Sequence, residues 1–318
     1  MNKRLVATLA AIAALVLAGL WVFGRREPRE VRIGSLPIIA SLPIYVAQER
    51  QLFARENIRA RTITFSSSND MVNALVAGEI EVLPAVSLVP IVHLEIQDPG
   101  KVRVFSHSRM NSANALDKIL VKEASKIQTL ADLKGRRVGV FPGTAPMKML
   151  QTFLRKHGVD PESVSFVQLP AAAQLSSLES GAVDALFAYE PVTTTALAHG
   201  GYRMLFGSVY ADLLEPNPIG VSVIAREFER RHPKLAAATV DALGQALDYM
   251  RTHSDEARAL LPKFTRIPPE IAARVNLADT TLTNQVDVQN LQAFIDLLYE
   301  SGEIPRKIDA QRLVAPTQ

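Results

Sequence analysis

The fold is decided by a stretch that reads Leu130-Ala131-Asp132-Leu133-Lys134-Gly135, then Arg136-Arg137-Val138-Gly139-Val140-Phe141, then Pro142-Gly143-Thr144-Ala145-Pro146. The apolar run predicts a strand, and the small-residue loop after it predicts the start of a helix that continues to about Lys156. The first turn of a helix carries free N–H groups and the positive end of the helix dipole. This loop is therefore typical of an anion-binding site, to which Thr144 adds a hydroxyl.

The same alternation of short apolar runs and amphipathic stretches covers the whole chain after residue 30. Strands are predicted at 31–36, 58–65, 81–84, 102–105, 118–121, 136–141, 164–169, 185–189, 202–206 and 221–225. Helices are predicted at 43–56, 71–77, 144–156, 233–252, 254–264, 269–276 and 288–302. This pattern indicates an α/β fold in which helices cover parallel sheets.

The length of 318 residues is enough for about two domains. We expect an N-terminal segment at 1–30, the first part of lobe 1 at 31–124, lobe 2 at 125–215, and a return to lobe 1 with C-terminal helices at 216–318. The densest turn signal, Pro216-Asn217-Pro218-Ile219-Gly220, marks the predicted return crossing.

The segment from Leu5 to Phe23 carries no charge and is flanked by basic residues on both sides. Its length is roughly that of a bilayer, so it predicts a membrane anchor or a cleaved secretory signal. Because the chain has no cysteine, lipidation at this segment is impossible. Disulfides and thiolate chemistry are excluded for the same reason.

The net charge of +3 does not indicate a nucleic-acid partner. Residues 1–30 hold five basic and two acidic residues, which leaves 30 of each sign in the rest of the chain. A nucleic-acid-binding protein normally carries a basic stripe. The histidines also lack any metal-ligand spacing, so we expect no metal and no cofactor.

One internal echo links the two predicted lobes. The stretch from Asn73 to Val82 matches the stretch from Ser177 to Ala185 in residue type and order: a helix end, a glycine, then an apolar strand entered through an acidic residue. Two interpretations remain open, because many helix-to-strand connections look like this, while two lobes built on one plan would also produce it.

The chain from residue 31 to its C-terminus resembles the periplasmic substrate-binding proteins of transporters for nitrate, sulfonates, taurine and thiamine pyrimidine precursors. The resemblance is carried by the order and spacing of Leu42–Ala47, Ala77-Gly78, Leu130–Val140, Ser180–Ala185 and Glu190-Pro191. It implies a type II periplasmic-binding-protein fold, with two α/β lobes, a hinge and the ligand in the cleft between the lobes.

The resemblance also implies a function and its partners. We expect the extracytoplasmic solute-binding component of an ABC importer, working as a monomer with permease and ATPase subunits. The solute would be small and anionic or zwitterionic, like a sulfonate, taurine or nitrate. The protein would be periplasmic or otherwise extracytoplasmic, tethered to the inner membrane through its N-terminal segment or released after cleavage.

Candidate ligand-binding residues follow predicted strands or precede predicted helices, where ligands bind in open α/β sheets. They are Ser35, Ser41, Ser67, Asn69, Ser87, Ser108, Thr144 and Glu190. Each hydroxyl either contacts a ligand or only caps a helix. Glu190 either accepts from a ligand amine or pairs with a basic residue across the hinge.

Three other functions are weighed against this one. A related pyrimidine synthase would need a cysteine-rich segment, and the chain has no cysteine, so we do not expect an enzyme. A tethered sensor with a separate signalling partner remains open. An importer receptor for a heteroaromatic pyrimidine precursor remains open as well.

Overall fold

A computed structural model describes residues 29–265, 267–283 and 285–314. The membrane segment predicted at 5–23 lies outside these residues. Among the helices that are described, none combines the length and the apolar composition that a bilayer crossing requires.

The strands form two separate sheets. Their bounds are β1 Arg29–Ser35, β2 Ile58–Thr64, β3 Val82–Val86, β4 Val102–Met110, β5 Asp117–Lys122, β6 Arg137–Val140, β7 Ser165–Gln168, β8 Ala185–Tyr189, β9 Tyr202–Phe206, β10 Asn217–Ala225 and β11 Asp279–Thr280. The first sheet has the order β11-β4-β10-β3-β1-β2, and the second has the order β7-β6-β8-β5-β9. We call the part of the chain around the first sheet the first lobe, and the part around the second sheet the second lobe.

Both sheets are mixed, which confirms the predicted α/β class. In the first sheet β1 pairs in parallel with β2 and β3, while β10 runs antiparallel to β3 and β4. In the second sheet β6 pairs in parallel with β7 and β8, while β5 runs antiparallel to β8 and β9. The parallel strands therefore direct their carboxyl ends, and the loops that follow, towards one edge of each sheet.

The chain crosses between the lobes twice, before β5 and before β10. The two crossings are joined where the Ser112 backbone N–H and hydroxyl both donate to Glu215 Oε1 at 2.7 Å. These bonds lower the pKa of the Glu215 carboxyl. The paired crossings make a two-stranded connection between the lobes, at the place where the family resemblance implied a hinge.

Helices cover both sheets. Their bounds are α1 Leu42–Glu49, α2 Leu52–Arg55, α3 Ser68–Val76, α4 Leu88–Gln97, α5 Thr144–Lys156, α6 Ala171–Glu179, α7 Val192–His199, α8 Val209–Leu213, α9 Arg226–Arg231, α10 Pro233–Thr252, α11 Ser254–Arg258, α12 Leu261–Thr265, α13 Pro269–Ala272, α14 Val288–Glu300 and α15 Gln311–Val314. In α5, Met149, Leu150 and Phe153 lie at helical spacing and are fully buried. Each such side chain stabilises the fold by about 1.5–3 kcal/mol.

The sequence similarity between the two lobes is matched by equivalent contacts in the structure. In the first lobe Arg32 of β1 pairs with Glu81 and donates to the Gly78 carbonyl at 2.8 Å. The second lobe repeats this arrangement: Arg137 pairs with Asp184 and donates to the Gly181 carbonyl at 2.8 Å. A generic helix-to-strand connection would not reproduce the arginine, so the structure favours two lobes built on one plan.

Two expectations about the first lobe and its boundary are corrected. The strand predicted at 118–121 pairs with β8 and β9, so the crossing falls between Met110 and Asp117 and not at 124/125. The strand predicted at 102–105 continues to Met110, because β10 pairs with it as far as Met110 and β11 pairs with it on the other side at Ser108 and Arg109.

Three helical regions also differ from expectation. The helix predicted at 43–56 breaks at Gln51, whose φ of 56° is left-handed. The helix predicted at 254–264 is two short helices, α11 and α12. The helix α4 was not predicted, because its apolar residues form a nearly continuous run without clear helical periodicity.

Candidate functional site

A cavity lies between the two lobes, with an empty volume of about 1030 Å³ that includes its solvent-open part. Its walls come from loops after parallel strands of both sheets, including Leu36 after β1, Ser87 after β3 and Phe141 after β6. Ligands of open α/β sheets bind at these carboxyl ends. The geometry therefore identifies the inter-lobe cleft as the candidate ligand site.

The walls of the cavity are mostly apolar. The first lobe contributes side chains such as Ile38, Met250 and Leu277, and the second contributes Phe141 and Tyr210. No lysine or arginine occurs among the described residues that line it. Such a surface fits the carbon skeleton of an organic molecule better than a bare inorganic anion.

Glu190 is the acidic group of this apolar wall and is only 1% exposed. Its Oε1 accepts from the Thr194 hydroxyl at 2.8 Å, and its Oε2 accepts from the Thr194 backbone N–H at 3.2 Å. Lys118 Nζ lies 3.9 Å from Oε1. Burial raises the pKa of the Glu190 carboxyl, while the bonds from Thr194 and the charge of Lys118 act in the opposite direction.

The sequence left two roles open for Glu190, accepting from a ligand amine or pairing with a basic residue across the hinge, and the geometry bears on both. The carboxylate pairs with a basic residue, but Lys118 belongs to the same lobe and not to the opposite side of the hinge. A carboxylate can accept about four hydrogen bonds. The bonds from Thr194 leave acceptor capacity, and the residue lines the cavity, so a ligand N–H group can also be accommodated.

Three aromatic side chains that line the cavity, Phe141, Tyr189 and Tyr210, form what we call the aromatic wall. The Tyr189 hydroxyl donates to the Tyr210 hydroxyl at 3.1 Å, and the Phe141 ring meets Tyr189 edge-on with centroids 6.2 Å apart. Tyr210 is carried by α8, whose start is fixed by Asp117 through bonds from the Ser208 hydroxyl and the Val209 N–H, both 2.7 Å. A buried carboxylate thus holds one wall of the cavity in place.

The two lobes touch at the edge of the cavity through Asn69 and Thr144. The Thr144 backbone N–H and hydroxyl donate to Asn69 Oδ1 at 3.1 and 3.2 Å. Gly143, with a φ of 114°, precedes the contact, and a Cβ there would approach Asn69 Oδ1 to 3.2 Å. Glycine permits this close approach and backbone conformation.

The eight predicted ligand-binding residues differ in where the structure places them. Four of them line the cavity: Asn69, Ser87, Ser108 and Glu190. Thr144 does not line it but contacts Asn69 from the second lobe. Its N–H, predicted to face an anion, is bonded to Asn69 in this structure.

The other three predicted residues have structural hydrogen bonds and do not line the cavity. Ser35 bonds Thr64 at 3.0 Å, and Ser67 caps α3 by accepting from the Asp70 N–H. Ser41 closes the loop after β1, accepting from the Leu36 N–H at 2.9 Å and donating to the Leu36 carbonyl at 2.7 Å. Of these three hydroxyls only Ser67 caps a helix, whereas Ser35 bonds the neighbouring strand β2 and Ser41 bonds the loop after β1.

Several lining residues were not predicted from the sequence. Tyr210, Met250, Leu277 and Thr280 come from segments far apart in the chain and join the cavity only through the fold. Tyr45 does not line the cavity and stacks on Phe264 with ring centroids 4.2 Å apart. His107 is buried inside β4, where its Nδ1 lies 3.2 Å from the Thr281 hydroxyl, and burial lowers the pKa of its imidazole to about 4.

Comparison with known proteins agrees with this architecture. Residues 24–264 match the NMT1-like family. A putative aliphatic sulfonates-binding protein of Escherichia coli strain K12 is 27% identical over 99% of this chain and 98% of its own length. This similarity extends over both lobes.

Solved structures share the fold. The alkanesulfonate-binding protein SsuA from Xanthomonas axonopodis pv. citri, bound to MOPS, has a TM-score of 0.73 and 21% identity, covering 92% of this chain and 100% of its own. The desulfurization enzyme DSZB has a TM-score of 0.67 and 18% identity, covering 91% and 96%. The type II periplasmic-binding-protein fold is thus confirmed, and it occurs in receptors and in an enzyme.

Proposed function

Because the chain belongs to the NMT1-like family, we propose that it is the solute-binding component of an ABC importer and binds a small zwitterionic organic solute between its lobes. The protein would act outside the cytoplasmic membrane, held there by the segment at 1–30 or released by its cleavage. Permease and ATPase subunits would receive the solute. The E. coli and Xanthomonas relatives, both named as sulfonate-binding proteins, support this assignment.

The observation that carries the proposal is the buried Glu190 carboxyl in a cavity shared by two hinged lobes. Hinged lobes that close over a ligand are a common device for capture and release. The apolar walls accept a carbon skeleton, and the remaining lone pairs of Glu190 suit an ammonium or another N–H donor.

A zwitterion fits better than a simple anion. An anion placed beside Glu190 would meet a like charge without a lysine or arginine in the described cavity wall. The MOPS found in the Xanthomonas relative joins a morpholine nitrogen to a sulfonate, so a molecule with both groups fits a cavity of this architecture.

A receptor role is also favoured over catalysis. The chain has no cysteine, so a thiolate nucleophile is impossible. The polar residues at the cavity wall are hydroxyls, one amide and one carboxyl that is already bonded to Thr194. This set can bind and release a solute without chemical change.

The test is isothermal titration of the full chain with taurine, homotaurine and MOPS, in parallel with Glu190→Gln. The matched control is Glu123→Gln, which changes an exposed glutamate of the same lobe. We expect at least one of these solutes to bind the wild type, and Glu190→Gln to weaken that binding about tenfold or more through a lost charge-assisted hydrogen bond. If the folded wild type binds none of them, or if both variants bind as the wild type does, the proposal is wrong.

A further inference from the structure

A second cavity adjoins the inter-lobe cavity, with an empty volume of about 640 Å³ that includes its open part. The two cavities share walls formed by Met250, Leu277, Ala278 and Thr280. Beyond these shared residues the character of the lining changes from apolar to polar and charged. The residues there include Asn114, Arg251, Ser254, Arg258 and Asp279.

Arg258 is the best-positioned cation of the second cavity. Its side chain is 21% exposed. Its Nε donates to the Val275 carbonyl at 3.0 Å, and its Nη1 donates to Ser254 Oγ at 3.2 Å and to Asp255 Oδ1 at 2.8 Å. A guanidinium has five N–H donors, so the described bonds fix the plane of the group and leave the donors of Nη2 for another acceptor.

The aspartates near this arginine are in water. Asp255, the partner of Arg258, is 97% exposed, so solvent strongly screens their attraction. Asp279 lines the same cavity and is itself paired with Arg109 at 2.5 Å. Arg251 is paired with Asp248, and both side chains are more than half exposed. The most buried of these arginine side chains that line the cavity is therefore that of Arg258.

The helix start that the sequence predicted as an anion site is already bonded within the chain. The Thr144 N–H donates to Asn69 Oδ1 at 3.1 Å, and the Gly143 N–H donates to Gln168 Oε1 at 3.1 Å. For the acidic group of a zwitterion whose amine meets Glu190, the described wall of the inter-lobe cavity offers neutral donors but no lysine or arginine, so a charged donor has to come from elsewhere. The second cavity supplies one beside the apolar walls that would hold the carbon skeleton.

We propose that the second cavity is the subsite for the sulfonate or carboxylate group of the solute, and that Arg258 is its specificity-determining residue. This inference rests on the proposed function. It implies an elongated solute, with an amine at Glu190, an apolar body along Met250 and Leu277, and an acidic group at Arg258. Short zwitterions such as taurine would then fill the site incompletely.

The test compares two probes that differ only in their acidic group, aminohexanesulfonate and hexylamine. Both are titrated into the full chain, into Arg258→Gln and into Arg274→Gln, which changes an exposed arginine of the same lobe. We expect the wild type to bind the sulfonate about tenfold or more tightly than the amine, because hydrogen bonds between charged groups are stronger than those between neutral groups. Arg258→Gln should remove this difference and leave hexylamine binding unchanged, and Arg274→Gln should preserve it.

A second variant separates binding from folding. Arg258→Lys keeps the charge but loses the guanidinium fork, so it should retain part of the preference for the sulfonate. Equal binding of both probes by the wild type would overturn the subsite and leave the solute-receptor function standing. Equal loss of both probes in Arg258→Gln would also overturn it, since the arginine would then be structural. Binding of neither probe by the folded wild type would reject this inference, and with no binding of taurine, homotaurine or MOPS either, the proposed function would fail too.

Discussion

Asn69 of the first lobe accepts two hydrogen bonds from Thr144 of the second, from its backbone N–H at 3.1 Å and from its hydroxyl at 3.2 Å. One side-chain oxygen thus occupies the start of α5 and joins the lobes at the edge of the cavity. The contact belongs to the conformation in which the lobes are close together, because a hinge opening would separate the two residues.

Replacing Asn69 with alanine should therefore destabilise the closed arrangement. Two neutral hydrogen bonds contribute about 0.5–1.5 kcal/mol each, so solute affinity should fall about 5- to 150-fold while the melting temperature changes little. Small-angle scattering should also show a larger radius of gyration for the variant. The control is Asn73→Ala, an exposed position on the same helix, and equal behaviour of the two variants would contradict the prediction.

A second contact between the lobes is an ion pair. Glu303, 5% exposed, lies 3.1 Å from Lys148 and 3.7 Å from Arg155, both on α5. Because the two cations are nearly half exposed, the pair should contribute only about 0.2–1 kcal/mol to closure. Glu303→Gln should speed solute release up to about fivefold in stopped-flow measurements, and it should reduce the acceleration that added salt causes in the wild type.

The matched control for this ion pair is Glu300→Gln, which changes a more exposed glutamate in the last turn of α14. Its release rate and salt dependence should equal those of the wild type. Identical salt dependence in Glu303→Gln and the wild type would show that the ion pair does not stabilise the closed arrangement.

Asp117 gives a pH dependence to folding stability. Burial raises the pKa of its carboxyl to about 6, against the opposing bonds from Ser208 and Val209. A raised pKa favours the protonated form in the folded state, so the stabilisation is fully present below the unfolded pKa of about 4 and is lost as the pH rises through about 6. The melting temperature of the wild type relative to Asp117→Asn should therefore fall between these pH values.

An exposed aspartate provides the comparison. Asp248→Asn makes the same substitution at a side chain that is 52% exposed, and it serves as the control variant in the same melting experiments. If the difference in melting temperature between the wild type and Asp117→Asn stays constant from about pH 4 to pH 6, the assignment of this titration to Asp117 is contradicted.

Ser41 was predicted as a ligand contact, and its hydrogen bonds indicate a structural role that can be tested. It is buried and satisfies both the N–H and the carbonyl of Leu36, so Ser41→Ala should leave two backbone groups without their partner and lower the free energy of unfolding by about 1–3 kcal/mol. Denaturant unfolding measures this loss. Ser180→Ala, at an exposed helix end, should cost much less, and equal losses would contradict the structural role.

The sequence predicted what depends on local pattern. The start of α5 at Thr144, the bounds of β8 and β9 and the position of Glu190 all follow from short apolar runs and their punctuation. The extension of β4 to Met110 was missed because it depends on pairing with β10 and β11, which lie far from β4 in the chain. No sequence pattern near β4 indicates which distant strands pair with it.

The candidate site was likewise predictable only where it depends on local sequence pattern. Polar residues after strands were recognisable, and four of them line the cavity. Sequence alone did not separate Ser87 from Ser41, because both lie at the start of a helix and only the fold decides which one faces the cavity. The apolar walls from Met250 and Leu277 had no local signal, since such side chains usually belong to a core.

The most direct test of the central claim is a crystal structure of the protein with homotaurine bound. We predict the solute between the lobes, with its amine nitrogen within about 3.2 Å of a Glu190 oxygen and its carbon chain against the aromatic wall. A sulfonate group placed against Glu190, or a solute bound outside the inter-lobe cavity, would contradict the account.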